Sequence, residues 1–423
     1  MARKSRQPES LFHKLGYKGK NTLAILLYTC LLFSCQARPT SEQEHQAAGA
    51  TDDNSIKELV LGIERMDQYL DLLKNKNVGL VVNHTTLFPN STHLADSLLS
   101  LGINVTTIFG PEHGFRGDAD AGAKITDGKD AKTGVPVISL YGANYKPTPE
   151  QIKNLDIVLF DIQDVGVRYY TYPSTLHYVM EACAENGKPV LVLDRPNPNG
   201  DYVAGPVLDR KFASFVGLNP VPVVHGLTIG ELAAMINGEG WLKNGVKCDL
   251  TIIPCENYNH NMPYDLPVPP SPNLPNRQSI RLYPSICLFE PTIVSVGRGT
   301  DLQFQVIGAP GNSAYGPYSF TPVPKPGAQN PVNKDKLCYG YDLSKIDAEN
   351  LGFTLRYVIE FYNKTKDKSK FFTSTSFFDK LAGTDQVRKM IVDGKSEEEI
   401  LASFEADLDN FKAKRKTYLL YPD

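Results

Sequence analysis

The chain has 423 residues, 41% of them hydrophobic and 22% charged, with a formal net charge of -3. That is globular composition with apolar material for more than one core, and at roughly 100–200 residues per domain two domains is the natural expectation. The near-neutral balance offers no electrostatic footprint for nucleic acid, which is not expected as a partner.

The first 35 residues read as a targeting segment rather than as fold. Arg3, Lys4, Arg6, Lys14, Lys18 and Lys20 precede an apolar run over 22–33 that ends in Leu32-Phe33-Ser34-Cys35, the pattern of a secretory signal. A cysteine straight after Leu-x-Ser resembles the lipobox of bacterial lipoproteins, so Cys35 is expected to be acylated and to anchor the chain to a membrane of the cell envelope. A plain signal peptide, or an uncleaved anchor with an incidental cysteine, is the competing reading. The apolar run is short for a spanning helix of about 20 residues. Residues 36–55 are polar, as a flexible tether should be. Cys183, Cys248, Cys255, Cys287 and Cys338 follow at irregular spacing without a CxxC pair, which argues against a disulfide framework or a zinc site. Buried thiols are expected, with a Cys248–Cys255 bridge the pairing that an oxidising compartment would permit.

From about residue 56, short β-branched runs alternate with helical segments. Strands are predicted over 78–82, 103–109, 135–140, 157–161, 189–194, 221–224 and 250–253. Their near-continuous hydrophobicity suits strands covered on both faces, hence an α/β fold with a mainly parallel sheet. Thr148-Pro149-Glu150-Gln151 is a capping-box pattern opening a helix toward Leu155, and Thr228-Ile229-Gly230-Glu231 opens another to about Asn237. Five prolines between Leu266 and Pro275 forbid regular helix or central strand. That stretch is expected to connect a first domain (56–275) to a smaller mixed one (276–423), running along the surface or across a cleft. The last helix is predicted over 397–414, with Ile400, Phe404, Leu408 and Phe411 on one stripe.

Polar, glycine-rich clusters follow the strand candidates directly. Asn83-His84 follows the first, Gly110-Pro111-Glu112-His113-Gly114-Phe115-Arg116 the second, and Tyr141-Gly142 the third. The run from Asp161 to Tyr172 closes the fourth, Asp194-Arg195-Pro196-Asn197 the fifth, and His225-Gly226 the sixth. Ligands of open parallel sheets bind outside the carboxyl ends of the strands. Carboxylates, amides, tyrosines and a guanidinium gathered there suit a sugar bearing a carboxylate. No GxGxxG follows a strand, no HExxH or other metal spacing is present, and no GxSxG elbow appears. Neither a nucleotide cofactor nor a metal is therefore expected.

These residues carry a resemblance. GPEHGFRGDADAG (110–122), DIQDVGVRYYTY, LDRPNPNG, HGLTIGE, FEP and SVGRGT occur in the order found in the NamZ-type exo-β-N-acetylmuramidases, glycoside hydrolase family 171, and the likeness runs from about Val78 to the C-terminus. It implies a Rossmann-like N-terminal domain without a nucleotide, a smaller C-terminal domain and an active site in the cleft between them. It further implies hydrolysis of the β-1,4 bond that joins a terminal N-acetylmuramic acid to N-acetylglucosamine in peptidoglycan fragments. The sequence departs from the family pattern at Phe289-Glu290-Pro291-Thr292, where FEGT is expected, and after GRGT, where Asp301-Leu302-Gln303-Phe304 replaces a proline-phenylalanine pair.

Glycosidases generally need a carboxylic acid to protonate the leaving oxygen and a second group at the anomeric carbon. Glu112, in a tight turn at a strand end where partial burial favours holding a proton, is the first choice for the acid; helix capping, or pairing with Arg116, is its alternative. Asp164 and Glu290 are candidates for the partner, as is Asp161, which could instead hold loop amides. The substrate's own N-acetyl group could also replace a protein nucleophile. Asn83, His84, His113, Asp194, Asn197 and His225 are candidate substrate contacts, and Arg116, Arg168 and Arg298 compete for the lactyl carboxylate. Tyr170 and Tyr172 are expected to face the pocket together, opposite Tyr169, if the segment is extended. Glu231 fits a helix cap better than catalysis. A lipoprotein that only binds muropeptides, or a wall-glycan esterase or deacetylase, are the rival functions.

Overall fold

Seven strands form the larger sheet: β1 (Val78–Val82), β2 (Val105–Gly110), β3 (Gly128–Lys129), β4 (Pro136–Ser139), β5 (Ile157–Asp161), β6 (Val190–Leu193) and β7 (Leu250–Ile253). The computed structural model describes residues 57–115 and 127–423. Cys35, the tether and Arg116 lie outside the described residues.

The sheet order is β3-β4-β2-β1-β5-β6-β7, parallel throughout except for the short β3 edge. Without β3 this is the 3-2-1-4-5-6 order of a doubly wound sheet. Alternation within each buried strand supplies two cores. Val81, Phe160 and Val192 pack on one face, beneath α4 (Tyr172–Glu185) and α5 (Ile229–Gly238). Leu80, Leu159 and Leu193 pack on the other, with Tyr69 and Leu73 of α1 (Met66–Leu73) and Leu94 and Leu98 of α2 (Leu94–Ser100). Because both faces are covered, β1, β5 and β6 are buried at every position, which is why they read as unbroken apolar runs.

Three expectations need correction. Residues 221–224 are buried but form no strand; Val224 makes isolated bridges to Val167 and Ala204. Pro222 inside the run has no N–H for a ladder, so apolarity there signals burial without pairing. The Thr148 capping box is formed, yet its helix, α3 (Pro149–Ile152), stops before Leu155. Cys248 and Cys255 are free, buried thiols, as are the other three described cysteines. The Thr228 box opens α5 as the sequence indicates.

The proline-rich connector runs irregularly past the carboxyl edge of the sheet, held where His84 Nε2 meets Pro269 O at 2.8 Å and Tyr170 OH donates to Pro270 O at 2.8 Å. After it, α6 (Arg277–Ile286) leads to an antiparallel sheet of β8 (Val306–Pro310), β9 (Tyr318–Phe320) and β10 (Cys338–Asp342), ordered β8-β10-β9. α7 (Ala348–Leu351), α8 (Arg356–Lys364), α9 (Thr375–Ala382) and α10 (Gln386–Val392) pack around it. The predicted terminal helix is broken at Ser403-Phe404 into α11 (Glu397–Ala402) and α12 (Glu405–Arg415), so Ile400 and Phe411 are buried while Leu408 is only half-buried. One continuous core joins the large sheet to these helices, and the described residues form a single compact unit. None of the described helices is long and apolar enough to cross a membrane.

Candidate active site

Beyond β2 the chain reverses within five residues. Gly114 N donates to Pro111 O at 2.9 Å, and the backbone turns left-handed at His113 (φ 67°) and Gly114 (φ 75°). A non-glycine residue held in that region is a strained conformation that concentrates at functional loops. The turn places Glu112 and His113 on the wall of a cavity of about 580 Å3, within the range of small-ligand sites. Only 8% of Glu112 is exposed. Its Oε2 accepts a 2.7 Å hydrogen bond from Thr171 Oγ1, at the start of α4. Tyr141, just past β4, bonds to the same carboxylate; burial first, then that negative neighbour, push its hydroxyl pKa above the usual phenol value.

The remaining walls come from Tyr169 and Tyr170 after β5, from Ser271 and Asn273 of the connector, and from the C-terminal region. There Glu290 follows α6 and pairs with Arg298 (Nη2 to Oε1 2.7 Å, Nε to Oε1 2.8 Å), whose guanidinium lies 5.0 Å from the ring centre of Phe304. Gly297 and Gly299 flank this arginine at φ 79° and 80°, where an added Cβ would stand 2.5 Å from Leu302 O and Val323 O respectively. Only glycine fits both the dihedral and the space. Glu112 and Glu290 are the carboxylates lining this cavity among the described residues.

Of the residues singled out by sequence, Glu112, His113, Tyr170, Glu290 and Arg298 therefore share one cavity. Tyr169 joins them, and the other described candidates do not line it. Asp161 is buried against Arg195 in an ion pair whose second contact, Nη2 to Oδ2, is 2.9 Å. Asp194 accepts from Gly230 N, Thr228 Oγ1 and Tyr421 OH, fastening α5 and the C-terminal tail to β6. Asn197 bonds to Leu227 O and Asn199 N. Arg168 is not free for a substrate carboxylate: it donates to Pro206 O, Val221 O and Leu381 O, and burial lowers its pKa to about 10. His225 accepts from Leu227 N and is kept neutral by burial, its pKa pulled down to about 3. Asn83 donates to Tyr172 OH at 2.9 Å and accepts from Thr85, so the switch point between β1 and β5 is filled by side chains. His84 meets the connector through Nε2.

Asp164 sits behind the tyrosines. Its Oδ2 accepts from Gly166 N at 2.8 Å, its Oδ1 is unpartnered, and burial raises its pKa to about 7. The expected tyrosine alternation fails because residues 167–170 form a turn, closed by Tyr170 N to Val167 O at 2.9 Å. Tyr169 and Tyr170 thus both line the cavity, while Tyr172 is buried as the first residue of α4. Glu231 caps α5 and meets His260 Nε2 at 3.1 Å. Sequence reasoning passed over Tyr141, Tyr145, Thr171, Phe215 and Tyr283. Tyr141 carried the strand-end signal; Phe215 lies in a loop without local pattern.

The doubly wound sheet thus carries beside its carboxyl edge a cavity lined by two carboxylates, an arginine and several tyrosines, groups that suit a sugar ligand. Family models for exo-β-N-acetylmuramidase NamZ match residues 78–278 (N-terminal) and 281–421 (C-terminal). The chain is 42% identical over 383 residues to the peptidoglycan β-N-acetylmuramidase NamZ of Bacillus subtilis strain 168, covering 84% of this chain and 89% of that protein. Two solved DUF1343 family proteins of Bacteroides fragilis NCTC 9343 share the fold. One is 49% identical with a TM-score of 0.80, covering 87% of this chain and 100% of that one. The second is 29% identical with a TM-score of 0.75, covering 86% and 99%. The chain belongs to the NamZ exo-β-N-acetylmuramidase family.

Proposed function

We propose that this chain is an exo-β-N-acetylmuramidase that releases N-acetylmuramic acid from the non-reducing end of β-1,4-linked peptidoglycan fragments, with Glu112 as general acid. The observation that carries the assignment is the placement of Glu112: nearly buried, fixed by Thr171 and Tyr141, yet on the wall of the cavity that also holds Glu290 and Arg298. A carboxyl group on that wall is in place to reach the glycosidic oxygen of a bound substrate, where a general acid acts. Among the described residues, Arg298 is the arginine that lines the cavity, and its guanidinium suits the lactyl carboxylate that distinguishes muramic acid from glucosamine. Glu290, steered by Arg298, serves the anomeric carbon directly or orients the substrate's N-acetyl group to do so. Incubation with the disaccharide N-acetylmuramyl-β-1,4-N-acetylglucosamine should yield both free sugars; binding without turnover would turn the reading into that of a muropeptide-binding protein.

The finer reading places the enzyme in the cell envelope, tethered through acylated Cys35. The lipobox-like Leu32-Phe33-Ser34-Cys35 supports it. Membrane-fraction enzyme labelled by a fatty-acid probe, lost in Cys35→Ala, is the expected result; unlabelled enzyme, equally distributed in both forms, would refute the anchor.

A further inference from the structure

The active cavity carries an aromatic group that the chemistry above does not use. Tyr141, Tyr145 and Phe215 all line it, from two loops far apart in sequence. Tyr145 stacks on Phe215 with ring centres 4.1 Å apart and planes at 29°, Tyr141 meets Tyr145 edge-on at 5.7 Å, and Tyr178 of α4 lies parallel to Phe215 at 6.3 Å. Packing alone would bury such a cluster, yet Tyr145 is 37% exposed. Its loop is held in place: the next residue, Lys146, pairs with Glu181 at 2.7 Å and Glu185 at 2.6 Å on α4. A ring fixed by a partner ring and partly exposed where it lines the cavity is a stacking surface that loses little conformational entropy on binding.

We infer that Tyr145, backed by Phe215, is the binding platform for the leaving N-acetylglucosamine, and so determines the enzyme's affinity for its aglycone sugar. The inference rests on the proposed reaction. A general acid touches the bridging oxygen, so the two sugars lie on either side of Glu112. Arg298, in the C-terminal wall, suits the muramic acid. Tyr141, hydrogen-bonded to Glu112 and in contact with Tyr145, leads from the acid to the exposed ring. The ring's exposed surface matches the apolar C–H face of a pyranose. An exo-acting enzyme places its terminal sugar inward, which leaves the accessible ring to the sugar that departs.

The test measures Tyr145→Ala and Tyr145→Phe on N-acetylmuramyl-β-1,4-N-acetylglucosamine, with free N-acetylmuramic acid as competitive inhibitor. Tyr145→Ala should raise KM about tenfold, the scale of one lost aromatic contact, with kcat nearly unchanged, as for loss of uniform binding. The inhibition constant of free N-acetylmuramic acid should not move, and Tyr145→Phe should behave as wild type. An unchanged KM in Tyr145→Ala, or an equal loss for substrate and inhibitor, would overturn the platform. Wild-type enzyme inert on the disaccharide would instead overturn the reaction on which the platform depends.

Discussion

Two polar layers occupy the carboxyl edge of the large sheet, and they differ in what their groups face. The outer layer, with Glu112, His113, Glu290 and Arg298, borders the cavity. The inner layer, with Asp161–Arg195, Asp194, Asn197, Arg168 and His225, is sealed, and apart from Arg168 Nε and His225 Nε2 its polar atoms meet backbone or neighbouring side chains. Burying polar groups is tolerable only when they are paired. The inner layer is therefore a positioning frame: it holds strand-end loops and the C-terminal tail so that the outer layer converges. Similar residue types in adjacent motifs thus face separate surroundings, sealed packing beneath and the cavity above.

The largest effect should come from breaking the frame. Asp161→Ala leaves Arg195 buried without its carboxylate and should cost about 3–5 kcal/mol of stability, read as a lowered melting midpoint in denaturant. An unchanged midpoint would mean the pair is not structural. In the outer layer, Glu112→Gln should reduce kcat about a hundredfold or more while its melting temperature stays near wild type; comparable loss of stability would merge the two layers. Arg298→Ala should lower kcat/KM about tenfold or more, the scale of a hydrogen bond to a charged group, and abolish the preference for muramic acid over glucosamine at the terminal position. Retained preference would assign the lactyl group elsewhere.

An effect confined to a pH window sharpens the boundary between the layers, at Asp164. Its pKa is raised by burial from 3.8 to about 7. The folded state therefore holds this proton more tightly than the unfolded chain, and the resulting stability is complete below about pH 4 and lost as pH rises through 7. Asp164→Asn removes that titration and keeps an oxygen for Gly166 N. Melting temperatures of wild type and variant should diverge between pH 4 and 8, with the variant a few degrees ahead at pH 8; parallel curves would show that this carboxyl does not titrate in that window.

Much of this architecture is legible along the chain, for identifiable reasons. Runs 78–82 and 157–161 match strands because double-sided burial demands uninterrupted apolar residues, and 250–253 matches as a β-branched edge strand with Thr251 exposed. The Thr148 and Thr228 boxes mark helix starts because capping is a local hydrogen-bond pattern. Two readings fail for local reasons that apolar patterning does not register: Pro222 removes a donor that strand 221–224 would need, and the turn closed at Tyr170 abolishes alternation.

Sequence by itself determined the parallel α/β class, the strand-end location of the chemistry and, through its motifs, the family. Only the tertiary structure decided which polar side chains meet a cavity, because loop residues have no periodicity to tell inward from outward. It alone also brought Tyr145 against Phe215 and the 290–298 segment into the cavity bearing Glu112. Those juxtapositions depend on packing between distant segments, which no local pattern encodes.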